Sequence, residues 1–226
     1  MTNLYMALER VRNAPGLAFG RAPPPPISRT RFEAEMRALR SQLQALLEER
    51  KPTTIAIMSC NHHEGATTVT RELARSLALD GIKVLLCGTV APPTPKRRAE
   101  PVQSAVSSER KIVSTASGML DFVDIADMHR ENSPNTASIT FRGWLETVKR
   151  GYDVVLIDAA PLLNHPSWGP MLKPLDGVLL IVEAERTRSI VVKAAVSAIE
   201  AAGGHILGII FNKRRRYIPE VFYRWL

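Results

Sequence analysis

The sequence predicts a doubly wound α/β domain on a mostly parallel sheet, with an N-terminal arm and an amphipathic helix ahead of it. Three observations carry that prediction. Short, wholly apolar runs such as Ile55 to Met58, Val178 to Val182 and Ile206 to Phe211 suit strands buried on both faces. Stretches with helical periodicity, ten residues or longer, alternate with those runs, which is the pattern of a parallel sheet covered by helices. A hydrophobic share of 45% over 226 residues is ordinary for a globular chain and enough for a substantial core.

Residues 1–30 end in RAPPPPISRT, where four prolines preclude a helix interior and favour an extended polyproline segment. They read as a flexible arm carrying Arg10, Arg12, Arg21 and Arg29. Residues 31–49 then place Phe32, Met36, Leu39, Leu43, Leu46 and Leu47 at the three-and-four spacing of one helix face, and Lys51-Pro52 ends the helix. After the strand at Ile55 comes a loop. From Gly65 a helix carries Val69, Leu73 and Leu77 on one side, and Gly81 stands in its terminating position.

Lys83 to Leu86 (KVLL) is the second strand. Residues 91–110 are polar, proline-containing and aperiodic, as functional or disordered loops are. Ile112 to Val113 predicts a short strand and Gly118 to Val123 (GMLDFV) a short helix. A helix over Phe141 to Lys149 would turn Phe141, Leu145 and Val148 inward. Tyr152 to Asp158 is the strongest strand in the chain. Ser189 to Ala202 is a helix with Ile190, Ala194 and Ile199 on its inner side, stopped by Gly203-Gly204. The expected organisation is an arm over 1–30, an α/β domain over 31–212 and a basic, aromatic tail over 213–226.

Composition excludes several classes. No apolar run approaches the roughly 20 residues of a membrane helix, and MTNLYMALERVRNAPG has no apolar core with a small-residue cleavage site, so no signal peptide is expected. Two cysteines, Cys60 and Cys87, do not make a disulfide scaffold and read as small buried residues at strand ends. The formal charge of +8 favours an anionic partner, whether nucleic acid, acidic lipid or an acidic protein face.

Chemistry concentrates in Ile55 to Thr68, IAIMSCNHHEGATT. Strand, loop, helix is the context in which G-x-x-x-x-G-K-[ST] cradles phosphates on main-chain N–H groups and a helix N-terminus. Set on that pattern, Gly65 holds the second glycine and Thr67 the hydroxyl that would ligate Mg²⁺. Cys60 replaces the first glycine and Ala66 the lysine. Asp158, at the carboxyl end of VVLID, is the acid expected to orient a metal's hydration shell. The candidate nucleotide-binding residues are therefore His62, His63, Glu64, Gly65, Ala66, Thr67 and Thr68, with Thr67 and Asp158 toward Mg²⁺ and Asp158 in the catalytic position.

Beyond these local patterns, the order of motifs resembles a known family. An Arg-x-x-Arg helix, the loop, KVLL, YDVVLIDAAPLL, DGVLLIVEAERT, ILGIIFNK and a tyrosine-containing tail are similar to the bacterial tyrosine autokinases that partner polysaccharide copolymerases. These form a branch of the deviant-Walker P-loop ATPases that includes the Min and Par proteins. The resemblance spans roughly residues 32–226. It implies a P-loop NTPase-like fold, ATP or ADP with Mg²⁺, and a role in capsule or exopolysaccharide biosynthesis. MRALRSQL resembles the family's E-x-x-R-x-x-R oligomerisation helix, with Arg37 and Arg40 in register and Ala34 where the glutamate belongs. Asn212 matches the family's base-proximal asparagine, and Tyr217 and Tyr223 are the phosphoacceptor candidates of its tyrosine cluster.

The departures shape the functional expectation. The lysine position is Ala66, and the family's second acidic motif reads Gly88-Thr89-Val90. Phosphoryl transfer is nearly all positioning and electrostatics, so each loss costs orders of magnitude in rate. His62 or His63 would replace a fixed cation poorly. The resemblance with these losses implies a catalytically impaired, pseudokinase-like homo-oligomer with nucleotide binding weak or lost. It would be cytoplasmic, peripheral at the inner membrane, and docked on a membrane copolymerase, the chain-length determinant, with no specific nucleic acid. Two alternatives stay open: an active tyrosine autokinase with a rewired loop, and a Par/Min-like ATPase, although Asn61 stands where that branch's signature lysine belongs.

Overall fold

Strand order decides where this chain can hold a ligand. The computed structural model describes residues 29–49, 53–88, 112–115, 118–125 and 134–214. Within them the elements are α1 (Arg29–Glu49), β1 (Thr53–Ser59), α2 (Ala66–Leu79), β2 (Val84–Gly88), β3 (Ile112–Ser114), β4 (Leu120–Asp124), α3 (Pro134–Val148), β5 (Val154–Asp158), α4 (Gly169–Leu172), β6 (Gly177–Glu183), α5 (Ser189–Ala201) and β7 (Ile206–Asn212). The arm before residue 29, the polar loop 91–110 and the tail after residue 214 lie outside the described residues, and Tyr217 and Tyr223 with them.

The described strands form one seven-stranded sheet in the order β3-β4-β2-β5-β1-β6-β7. All neighbours are parallel except β3, which runs antiparallel to β4 at the edge. The central strands β1, β5 and β6 are apolar on both faces because helices cover both, as the unbroken runs predict. One face packs Ile55, Ile57, Leu156 and Leu179 against Met36, Leu43 and Leu47 of α1 and Val69, Leu73 and Leu77 of α2. The other packs Ala56, Met58, Ile157 and Leu180 against Phe141 and Leu145 of α3, Met171 and Leu172 of α4 and Ala195 and Ile199 of α5. Asp176, just before β6, accepts both the N–H and the hydroxyl of Thr54 at 2.7 Å each, which pins the start of β6 to β1. No helix of the described residues is long and apolar enough to cross a membrane.

Two sequence expectations are corrected here. Residues 120–124 form strand β4, not a short helix: Leu120 to Asp124 pair in parallel register with Val84 to Gly88. Asp121 is an acid inside a strand, an uncommon place for one. It is buried, and the Tyr152 hydroxyl donates to its Oδ2 at 2.7 Å. On α5 the inner face is Ala195 and Ile199, whereas Ile190 is 72% exposed and Ala194 is also outward. Ile199 is inward as expected, but Ala195 takes the place of Ala194 and Ile190 in the first turn is uncovered, since β7, at the sheet edge, needs cover on only part of its width. For the same reason Phe211 on β7 is 64% exposed despite the apolar run.

Candidate functional site

The carboxyl ends of β1 and β5 meet the N-terminus of α2, and the chain leaves a cavity of about 540 Å³ there. This is where open α/β sheets bind ligands. Its walls include His62, His63, Gly65, Ala66, Thr67 and Thr68 of the loop, Asp158 with the turn after it, Trp168 and Lys213.

The loop's shape has identifiable causes. Gly65 precedes α2 with φ +97° and no side-chain cap, so the first-turn N–H groups of a 14-residue helix point toward the cavity. A Cβ at Gly65 would stand 2.3 Å from the Asn212 amide nitrogen. Both conformation and space require glycine there. The Asn212 amide donates to the Glu64 carbonyl at 2.8 Å, so Asn212 straps the loop to the end of β7 and stands outside the cavity lining.

Glu64 belongs to the loop through its main chain, and its side chain is not part of the cavity lining. Its side chain turns inward and is buried. Oε2 accepts the Cys60 N–H at 2.8 Å, while Oε1 accepts from Asn61 Nδ2 at 2.9 Å and from the Thr187 hydroxyl. A carboxylate with three donors is well compensated for its burial, which the sequence alone did not reveal. Cys60 and Cys87 are free and buried, as expected. Loss of water, and then the charge of Glu64, push the Cys60 thiol up to about 12.

The acid side is thinly built. The Thr67 hydroxyl donates to Asp158 Oδ1 at 3.2 Å. Gly88 ends β2 beside them, and a Cβ there would lie 3.4 Å from the Asp158 Cβ. A side-chain acid at Gly88 would therefore face Asp158, but the position offers none. Among the described residues no group of three or more His, Cys, Asp or Glu converges. The residues present fit phosphate groups through the loop and helix N-terminus. They fit a magnesium ion through Thr67 and one carboxylate, the minimum for an ion that also takes phosphate and water oxygens. Bound there, the metal would neutralise phosphate charge. His62 and His63 both line the cavity, and a third imidazole, His165, meets the His62 ring edge-on at 5.3 Å.

No family model matches the chain. It is 27% identical over 202 residues to the tyrosine-protein kinase CpsD of Streptococcus agalactiae serotype III (strain NEM316), covering 80% of this chain and 82% of that protein. It is also 23% identical over 201 residues to the succinoglycan biosynthesis transport protein ExoP of Rhizobium meliloti (strain 1021), covering 82% of this chain but 25% of that one. The chain is a relative of the bacterial polysaccharide-associated tyrosine autokinases. It superposes on the kinase domain of the Escherichia coli tyrosine kinase ETK with a TM-score of 0.65 at 20% identity, over 93% of this chain and 89% of that one. The fold is thus P-loop NTPase-like, as the motif order implied.

In this autokinase relative the two arginines of the helix expected to oligomerise take different positions. Arg37 is exposed. Arg40 is tied within the chain to Asp80 at 2.6 Å and reaches Ser76 at 3.5 Å, so it fastens α1 to α2.

Burial raises the Asp158 carboxyl above its ordinary value, against the opposing Thr67 hydrogen bond and the nearby charge of Arg71. The raised value means the folded chain holds the proton more tightly than the unfolded one. Ionised Asp158 therefore opposes folding, fully above the folded-state value and not at all below the unfolded one. Asp158→Asn keeps the acceptor for Thr67 and removes that charge. It is expected to raise the melting temperature at pH 7, where the charge is carried at a cost. The gain should shrink as pH falls through the carboxylate range, followed by thermal melts from pH 7 to pH 3.

Proposed function

We propose that this chain is a catalytically impaired member of the polysaccharide tyrosine-autokinase group. It acts at the cytoplasmic side of the membrane as an oligomeric regulator docked on a membrane polysaccharide copolymerase. One observation carries the reading. Ala66 lines the cavity where the phosphate-loop motif calls for a lysine, and Gly88 lies beside Asp158 where the family resemblance implies a second acid, and phosphoryl transfer depends on both charges. Similarity to CpsD and ExoP supports the setting, since the first is named a tyrosine-protein kinase and the second a succinoglycan biosynthesis transport protein.

The test is an anti-phosphotyrosine blot of the purified protein after incubation with MgATP. The expected result is no signal, and no change on Asp158→Ala. A signal that disappears in Asp158→Ala and in the Tyr217→Phe/Tyr223→Phe double variant would establish an active autokinase instead. Copolymerase docking is tested separately by co-purification with the membrane partner from the producing cell.

A further inference from the structure

We propose that Lys213 is the phosphate-facing cation of this site, delivering from the end of β7 the charge that position 66 lacks, so that the cavity retains the phosphates of a nucleoside diphosphate. The proposal deepens the reading of the same site, but rests only on the phosphate loop and not on whether the chain transfers phosphate.

The geometry is specific. Glu183 and Asn212 pair in the register of β6 and β7, and the Ala184 N–H donates to the Asn212 carbonyl at 2.9 Å. This brings residue 213 out of the sheet beside the phosphate loop. There the Lys213 ammonium donates to the His63 carbonyl and lies 3.1 Å from Glu183 Oε2, and its side chain lines the same cavity as Thr67 and Asp158. Both partners of the bond to the loop are non-glycine residues in the left-handed region, His63 at φ +65° and Lys213 at φ +56°. Backbone held in that region costs free energy and persists only where surrounding contacts impose it. Here the contacts are Asn212 on Glu64 and Lys213 on His63, two successive straps from β7 to the loop.

The electrostatics also leave Lys213 available. An ammonium has three N–H donors, and its described partners take two of them. Glu183, its anionic partner, is shared with Arg186 at 3.5 Å, which weakens its hold on the lysine. Glu64, the charged side chain of the loop itself, faces inward and is taken by three donors, so it does not compete for the lysine. An arriving phosphate adds an anion beside a tethered cation and the uncapped N–H groups of α2, and the tether limits the side-chain entropy lost on binding.

The experiment is isothermal titration with ADP in the presence of Mg²⁺ at pH 8, above the ordinary imidazole range. The wild-type chain is expected to bind. Lys213→Ala should weaken binding roughly ten- to a hundredfold, the effect of losing a charged hydrogen-bond donor. Adding Ala66→Lys to Lys213→Ala should restore most of the affinity, because it returns a cation to the same phosphates from the other side. Thermal melts confirm that each variant is folded, and Lys213→Gln, which keeps a donor to His63, stands in if Lys213→Ala is not.

Three results would overturn the proposal. One is no ADP binding by the wild type. Another is Lys213→Ala or Lys213→Gln binding within twofold of wild type. The third is a double variant as weak as Lys213→Ala, which would make Lys213 a strap for the loop and nothing more. None of these touches the proposed loss of catalysis, which the phosphotyrosine blot reads independently.

Discussion

Replacing Glu64 with alanine is expected to cost about 2–4 kcal/mol of stability and to abolish ADP binding, a larger effect than any substitution in the cavity wall. The carboxylate is buried at the base of the loop, and three donors converge on it, from Cys60 N–H, Asn61 and Thr187. Leaving buried donors without an acceptor costs about 1–3 kcal/mol each. Part of that is recovered here, because the Cys60 N–H also lies 3.3 Å from the Ile181 carbonyl and Asn61 is at the surface.

Glu64→Gln makes the sharper comparison. Its amide oxygen can keep the Cys60 N–H while its nitrogen faces the Thr187 hydroxyl and a flipped Asn61 amide, both able to accept, so what is lost is the carboxylate's charge-assisted bonding. About half the alanine loss is expected. Chemical denaturation of the three proteins, followed by tryptophan fluorescence with Trp168 buried beside the cavity, would check the order. Equal stability of wild type and Glu64→Gln would mean that the negative charge of Glu64 is not needed to organise the loop.

Phe141→Ala should be the most damaging single change in the core. The ring is fully buried beneath the sheet, packed beside Trp144 at a centroid distance of 5.9 Å. Truncating such a phenylalanine removes its transfer free energy and leaves a cavity that dense packing closes only in part, a loss of about 3–5 kcal/mol. For a domain whose whole stability is about 5–15 kcal/mol, that places the variant near unfolding at 37 °C. Phe141→Leu, which fills most of the volume, should keep more than half of the lost stability. The expected readout is a urea midpoint lowered by more than 1 M for alanine. A midpoint unchanged by alanine would show that α3 can collapse onto the sheet.

Much of the architecture was legible in local pattern. The apolar runs at Ile55, Val155 and Val178 are strands because no other element buries consecutive apolar residues in so short a span. The helix starting at Gly65 followed from its periodicity and glycine. The loop's missing lysine and the absent acid at Gly88 were also read directly, since each is an identity at a motif position. Arg40 was legible as a residue of the helix, but its partner Asp80 was not.

The sheet-and-helix class, the position of the phosphate loop and the charges removed from it are therefore written in neighbouring residues. That 120–124 is a strand depends on the assembled fold, because its hydrogen-bond partners sit in β2 and not in its own sequence. The fold alone turned Ile190 outward, by fixing how much of β7 needed cover. It also brought Thr187, Asn212 and Lys213 to a loop more than 120 residues earlier in the chain. Periodicity reports which face of an element is buried. It carries no information on which distant segment will lie across that face, because parallel strands adjacent in the sheet are separated in sequence by whole crossovers.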